Sequence, residues 1–476
     1  MNAVVRRFSV FSRFVIPSIF AMATAAHAAP APHAAPAPHG APVLMISIDG
    51  LKPEYITQAD AHGMKIPYLR TMMRDGTYAE GVVGVWPTIT YPSHTTLLTG
   101  VWPAEHGIYC NQEFDPLQQY GGAWNWYAAG IRVPTLWQAA HKAGLRTASV
   151  GWPVSVGATD VDLLIPEFWL GKNVSGSSNP EDKLLMAALA RPDTLIRTLQ
   201  PAAGPYMNGN DTSIGGDEVK TRYALEILRR YKPAFMTLHL SSLDDAQHAH
   251  GIFSPEADST LEAIDGMVAR LARQEFAISP NAVLVVASDH GFMNITHYVN
   301  LVIPFLQAGL IQGSIDPATR TPIVSSWKAE PWMAGGVAAI MLYDANDAAT
   351  EQQVKSLLDK LAADPANGIA EILDREATAK RGAFPDAAFL VVLKPGYYTG
   401  SGLSGSLVTP VPGTQGSHGF SPEVPEMRAS FFAVGAGIAH HRDLGVVDMR
   451  QIAPTVARIL RVPLPSAKAA LLHVQR

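Results

Sequence analysis

Cysteine is almost missing. Cys110 stands alone among 476 residues, so no intrachain disulfide can form and stability must come from a packed core. Charge is sparse too. Charged residues make up 16% of the chain, the net charge is −5, and no basic tail is present. That gives no sign of a nucleic-acid-binding surface. What the chain has is apolar surface to bury: 47% of its residues are hydrophobic, over a length worth roughly two or three domains.

The N-terminus has the pattern of an export signal. Arg6, Arg7 and Arg13 precede the apolar run 14-FVIPSIFAMATAA-26, and Ala26-His27-Ala28 forms an A-x-A cleavage site. The run is short for a membrane span and holds Pro17, so residues 1–28 are expected to be a removable signal and the protein periplasmic or secreted. The Arg6-Arg7 pair sits in a poor twin-arginine context, which leaves the export route open. Residues 29–41 are rich in Ala and Pro and predict a semi-rigid linker. Residues 42–465 are expected to form the folded domain and 466–476 a C-terminal tail. No second candidate span follows the signal.

Short apolar runs alternate with helical patterns. The runs are 43-VLMISI-48, 234-AFMTLHL-240, 282-AVLVVA-287, 337-VAAIMLY-343 and 430-SFFAVG-435. Helices are expected over 66–76, 134–144, 217–231, 255–273 and 448–460. Continuous apolar strands separated by helices predict an α/β fold, a doubly wound and mainly parallel sheet with helices on both faces. Insertions are expected around 112–215 and 295–415. The second would form a smaller lobe with its own helix, 349–363, and the apolar run 388-AFLVVLK-394.

Carboxylates recur where such strands end. Asp49 follows VLMISI, Asp244 follows FMTLHL and Ser-Ser-Leu, and Asp289 follows AVLVVA and a serine. Ligands of open α/β sheets bind outside those carboxyl ends. One such Asp is more often a helix N-cap than a ligand. Three that converge repel one another and call for a cation. Histidines accompany them. Asp244 and His248 are four apart, which puts both on one helical face. His290 adjoins Asp289 before Gly291, which would let the backbone turn, and His418 lies among glycines. Imidazole with carboxylate suits zinc. Three of each suit two metals, a recurring device for phosphoryl transfer. Asp245, His94, His106, His250, His440 and His441 are expected to be structural or surface groups.

Hydroxyls crowd 87-PTITYPSHTTLLTG-100. A helix is expected from Ser93 to Thr99, with Pro92 at its start and Gly100 as its stop. A hydroxyl just ahead of a helix meets free N–H groups and the positive dipole end. Thr88 and Thr90 both qualify; Thr90 is nearer, and spacing does not settle the choice.

Together these motifs resemble the nucleotide pyrophosphatase/phosphodiesterase family (type I phosphodiesterases) of the alkaline phosphatase superfamily. The resemblance runs through 48-IDGLKPEY-55, 87-PTITYPSHTTLLTG-100, 103-PAEHGIYCN-111, 244-DDAQHAHG-251, 288-SDHGF-292 and 416-GSHGFSPEVPEMRASF-431. It implies an alkaline phosphatase-like fold, two zinc ions and a threonine nucleophile followed by an aromatic and Pro-x-His, here Thr90-Tyr91-Pro92-Ser93-His94. By the same resemblance Asp49, Thr90, Asp289 and His290 hold one zinc, and Asp244, His248 and His418 the other. Asn111 steadies a phosphoryl oxygen, helped by the Thr90 N–H, and Tyr91 stacks on a base. Trp169 and Tyr206 are candidates for a second stacking residue. Ser93 replaces the family's usual Asn and is expected to cap the helix. Cys110 departs from the family's pattern beside Asn111 and is expected to be a small buried hydrophobe. No stretch fits the C/S-x-P-x-R pattern of the sulfatase branch.

The implied activity is hydrolysis of phosphodiester or pyrophosphate bonds in nucleotides or related small molecules, through a phospho-threonine intermediate. The rivals are a phosphonoacetate hydrolase-like or phosphomonoesterase relative, and an exported phosphoester-binding protein without catalysis. No nucleic-acid polymer is expected as partner.

Overall fold

The computed structural model describes residues 40–117, 119, 123–169, 181–207, 211–315, 322–400, 402 and 404–476. The expected signal and all but the last two residues of the linker lie outside them. Gly40–Arg476 forms one compact unit.

Its centre is an eight-stranded sheet in the order Arg442–Asp443, Thr77–Tyr78, Phe431–Gly435, Val283–Ala287, Val43–Ile48, Phe235–Leu240, Thr147–Val150, Leu163–Ile165. The last five run parallel to one another. Phe431–Gly435 runs antiparallel to Val283–Ala287. The expected fold class is therefore present. Alternation in Val43–Ile48 shows why its sequence is apolar but for Ser47. Leu44, Ile46 and Ile48 enter the core on one face, and Val43 and Met45 enter the core on the other. Each face carries helices, so both faces select mostly apolar side chains.

A second sheet lies within residues 295–415. Four antiparallel strands, in the order Ala329–Ala334, Val337–Leu342, Phe389–Leu393, Ile369–Asp374, pack with the helix Ala348–Ala362 around a core of their own. This corrects one expectation: 337-VAAIMLY-343 belongs to this second sheet, not to the parallel sheet. Ala338, Ile340 and Leu342 face one apolar cluster, and Val337 and Ala339 face another. Burial on both faces gave it the same continuous pattern as a parallel strand.

The expected C-terminal tail is also corrected. Leu472 and Val474 are buried, and the main chain bonds back through Ala439 N–H to Val474 O and Arg476 N–H to Gly437 O. No helix among the described residues is long and apolar enough to cross a membrane.

Candidate active site

Strand register brings the first two carboxylates together. Ser47 pairs with Ala287 across the sheet, so Asp49 and Asp289, each two residues further on, leave the carboxyl edge side by side. Asp244 and His248 come from the helix Ser242–His250. His418 arrives at the end of the long strand Val408–Ser417, which pairs with Met293–Val299 just beyond His290. Gly291 is needed here for space, not for a turn. A Cβ on it would lie 2.2 Å from Glu426 O.

The helix carrying Thr90 spans Thr90–Thr99, not Ser93–Thr99 as expected. Thr90 is its first residue, and Ser93 is a buried position within it rather than its cap. Gly100 ends it in the left-handed conformation, φ 71°. Thr90 Oγ1 lies 3.5 Å from His290 Nε2. Thr88 instead donates its hydroxyl to Phe420 O at 2.8 Å, which leaves Thr90 as the hydroxyl that faces the carboxylate–imidazole cluster.

The three histidines share one orientation. Nδ1 of His248, His290 and His418 lies 3.0, 3.1 and 3.1 Å from the carbonyls of Gly416, Gly291 and Thr88. A carbonyl only accepts, so each Nδ1 carries the proton and each Nε2 is turned inward. Those nitrogens meet carboxylates. His290 Nε2 is 3.3 Å from Asp49 Oδ1 and 3.1 Å from Asp289 Oδ2. Nε2 of His248 and of His418 lies 3.4 Å from Asp244 Oδ2 and Oδ1 respectively. Yet Asp49 Oδ1, Asp244 Oδ1 and Asp289 Oδ2 are buried without a hydrogen-bond partner. Close approach without hydrogen-bond geometry is what ligands around an ion show.

Donor atoms within 4.8 Å of one another form two groups, Asp49-Asp289-His290 and Asp244-His290-His418. His290 belongs to both. The rings of His290 and His418 stack at 3.6 Å, and those of His248 and His418 lie 5.1 Å apart. All seven side chains singled out as ligands thus gather at one place. The donor chemistry fits zinc.

Electrostatics agree that a cation is wanted. Burial, then the charges of Asp289 and Asp244, push the Asp49 carboxyl well above its usual range. Burial also raises Asp244, only partly offset by His248 and His290. Burial would raise Asp289 too, but His290 and His94 outweigh it and hold that carboxyl low. Burial would lower His290, but Asp289, Asp49 and Asp244 lift it to about 9.

Asn111 Oδ1 accepts the Tyr91 N–H at 2.9 Å, which leaves its amide NH2 free to donate. Tyr91 corrects an expectation. Its side chain is only 1% exposed. Its hydroxyl donates to Glu167 Oε1 at 2.6 Å and its ring packs 5.3 Å from Trp124, so its faces are not open for a base. Trp124 and Trp169, 4.9 Å apart, are half-buried above it, whereas Tyr206 is buried against Tyr223. Cys110 is buried among apolar side chains, its thiol pushed up to about 11 by burial. Asp245, His250, His440 and His441 are exposed, and His106 is a core residue bonded to Thr96 Oγ1.

Two partners escaped sequence reasoning. His239 Nε2 lies 2.9 Å from Asp49 Oδ2, and its Nδ1 lies 3.1 Å from Glu167 Oε2. Burial opposes a charge on His239, but its two carboxylate partners lift it to about 10. Burial would raise Glu167, but His239, the Tyr91 hydroxyl and Lys220 hold it low. Signals existed. His239 interrupts the apolar strand FMTLHL, and Glu167 falls two residues past LLI, the same placement that drew attention to Asp289.

An alkaline phosphatase-like sheet whose carboxyl edge carries two joined carboxylate–imidazole groups and a threonine defines the class. Residues 43–421 match the family described as type I phosphodiesterase / nucleotide pyrophosphatase, and the chain belongs to that family. Among curated relatives, human ectonucleotide pyrophosphatase/phosphodiesterase family member 1 is 26% identical over 258 residues, 52% of this chain and 23% of that protein. Human family member 5 is 29% identical over 243 residues, 46% of each. The chain therefore spans less than half the length of these relatives. Solved murine ectonucleotide pyrophosphatase/phosphodiesterase 5 superposes with a TM-score of 0.60 at 19% identity, over 89% of this chain and 96% of that one, and so shares the fold.

Proposed function

We propose that the chain is a zinc-dependent phosphodiesterase or nucleotide pyrophosphatase that acts through a phospho-threonine intermediate. One observation carries this reading: three inward Nε2 atoms and three unpartnered carboxylate oxygens gather in one cluster, and the Thr90 hydroxyl lies 3.5 Å from one of those nitrogens, His290 Nε2. Asp49, Asp289 and His290 with Thr90 would hold one zinc, and Asp244, His248 and His418 the other. Zinc at these positions supplies positive charge against phosphoryl oxygens and favours ionised oxygen nucleophiles.

Thr90 Oγ1 gives up its proton as it attacks phosphorus, an Oγ1–P bond forms, and the bond to the leaving oxygen breaks, that oxygen taking up a proton from solvent. Water then adds to phosphorus and gives up a proton, the Oγ1–P bond breaks, and Oγ1 is reprotonated, which frees Thr90 and releases the phosphomonoester. The Asn111 amide donates to a non-bridging oxygen, its orientation fixed by the Tyr91 N–H. The helix start at Thr90 adds its N–H groups and positive dipole end. A base would lie against Trp124 and Trp169 rather than Tyr91. A nucleotide substrate is supported by a relative: an inactive threonine-to-alanine variant of the murine protein has been solved in complex with AMP. The pattern of residues 1–28 supports export to the periplasm or beyond.

The deciding experiment compares purified, zinc-loaded protein on the p-nitrophenyl ester of thymidine monophosphate and on p-nitrophenyl phosphate. Preference for the diester is expected. Preference for the monoester overturns the reading in favour of a phosphomonoesterase, and no turnover of either favours a binding protein.

A further inference from the structure

We propose that His239 and Glu167 are positioning residues that hold Asp49 with a single oxygen facing the metal site and tie it to the segment bearing the nucleophile. This rests on Asp49 being a metal ligand, as read above. A carboxylate can grip a cation through one oxygen or both. Here Asp49 Oδ2 accepts from His239 Nε2 at 2.9 Å, whereas Oδ1 has no hydrogen-bond partner and lies 3.3 Å from His290 Nε2 in the cluster. Oδ1 is thus the oxygen left free of any hydrogen bond and facing the cluster.

The ring that restrains Asp49 is itself held at its other edge. His239 Nδ1 faces Glu167 Oε2 and Gly151 O, each at 3.1 Å. Acceptors surround both nitrogens, so the ring donates in both directions and cannot flip to a better arrangement. Its main chain is fixed as well, because His239 pairs in register with Ser47, two residues before Asp49. Glu167 uses its second oxygen to accept the Tyr91 hydroxyl at 2.6 Å. Tyr91 directly follows Thr90, and its N–H is held by Asn111. One hydrogen-bonded chain, Asp49–His239–Glu167–Tyr91, therefore runs from a ligand to the neighbour of the nucleophile. Partners of this kind orient ligands, and their loss weakens metal binding by roughly 10–100-fold.

A purely structural ion-pair network would lower the melting temperature and leave zinc affinity alone, so zinc affinity is the readout. It is measured by competition with a chromogenic chelator, with zinc content by mass spectrometry, on protein shown folded by circular dichroism. His239→Leu should bind one of two zinc ions about 10–100-fold more weakly. His239→Gln, whose amide can still donate to Asp49, should recover most of that loss. Glu167→Gln, which leaves the ring in place but loosens it, should fall between. Wild-type zinc affinity in His239→Leu overturns the proposal. Should that variant not fold, wild-type affinity in Glu167→Gln overturns it instead. Wild-type protein that binds no zinc would sink the metal-site reading itself, a result distinct from an unchanged variant.

Discussion

Thr90 Oγ1 lies 3.5 Å from His290 Nε2, although 200 residues separate the two in sequence. Thr90→Ala should therefore cut turnover by at least about 10³-fold, because it removes the hydroxyl proposed as the nucleophile. Zinc content should be largely kept, since the carboxylates and imidazoles remain. Thr90→Ser should recover part of the rate. Steady-state kinetics with zinc analysis checks this; full activity in the alanine variant would remove Thr90 from its role.

Chelation should destabilise the fold. Without a cation, Asp49, Asp244 and Asp289 each bury an oxygen with no hydrogen-bond partner. Zinc at about 1,000 times its Kd would stabilise the folded chain by about 4 kcal/mol. Thermal melts with a chelator, and again after zinc is added back, should show a drop in Tm and its recovery. An unchanged Tm would speak against a metal site here.

The helix Ser242–His250 is capped from outside. Asp217 accepts the N–H groups of Ser241 and Ser242 at 3.0 and 2.9 Å and pairs with buried Lys220 at 2.8 Å. Asp217→Ala leaves an unpaired buried cation and frees the helix end that leads to Asp244. Its expected cost is about 3 kcal/mol in urea denaturation. Adding Lys220→Met should restore part of that. Near-neutral behaviour of the single variant would rule out the cap.

Glu275 gives a pH signature away from the site. It is buried in the helix Pro255–Ile278, and burial lifts its carboxyl to about 7. The folded state then holds the proton more tightly than the unfolded chain. Stability from this group is full below the ordinary carboxylate pKa of about 4.3 and is lost as pH rises towards 7, by on the order of 2 kcal/mol. Glu275→Gln should be indifferent over that window. Denaturation midpoints from pH 4 to 8 should separate wild type from variant progressively; parallel curves would refute the assignment.

The strand Val337–Leu342 of the second sheet and the core strand Val43–Ile48 read alike in sequence because both are buried on two faces. Periodicity reports burial, not which sheet a strand joins. Likewise the helix at Thr90 starts earlier than Pro92 suggests, because proline needs no N–H in a first helical turn and so does not mark which residue opens it.

Residue type and local spacing by themselves determined the α/β class, the carboxylates at strand ends, the Asp244–His248 pair on one helical face and the small set of hydroxyls from which Thr90 came. These depend on contacts within a few residues, where backbone geometry fixes what can meet. Tertiary structure alone decided the rest. It made His290 common to both donor groups, buried Tyr91 under Trp124 and against Glu167, and set His239 behind Asp49. Those relationships join strands and loops far apart along the chain. A histidine in an apolar strand announces that it needs a partner, but only sheet register says which carboxylate supplies it.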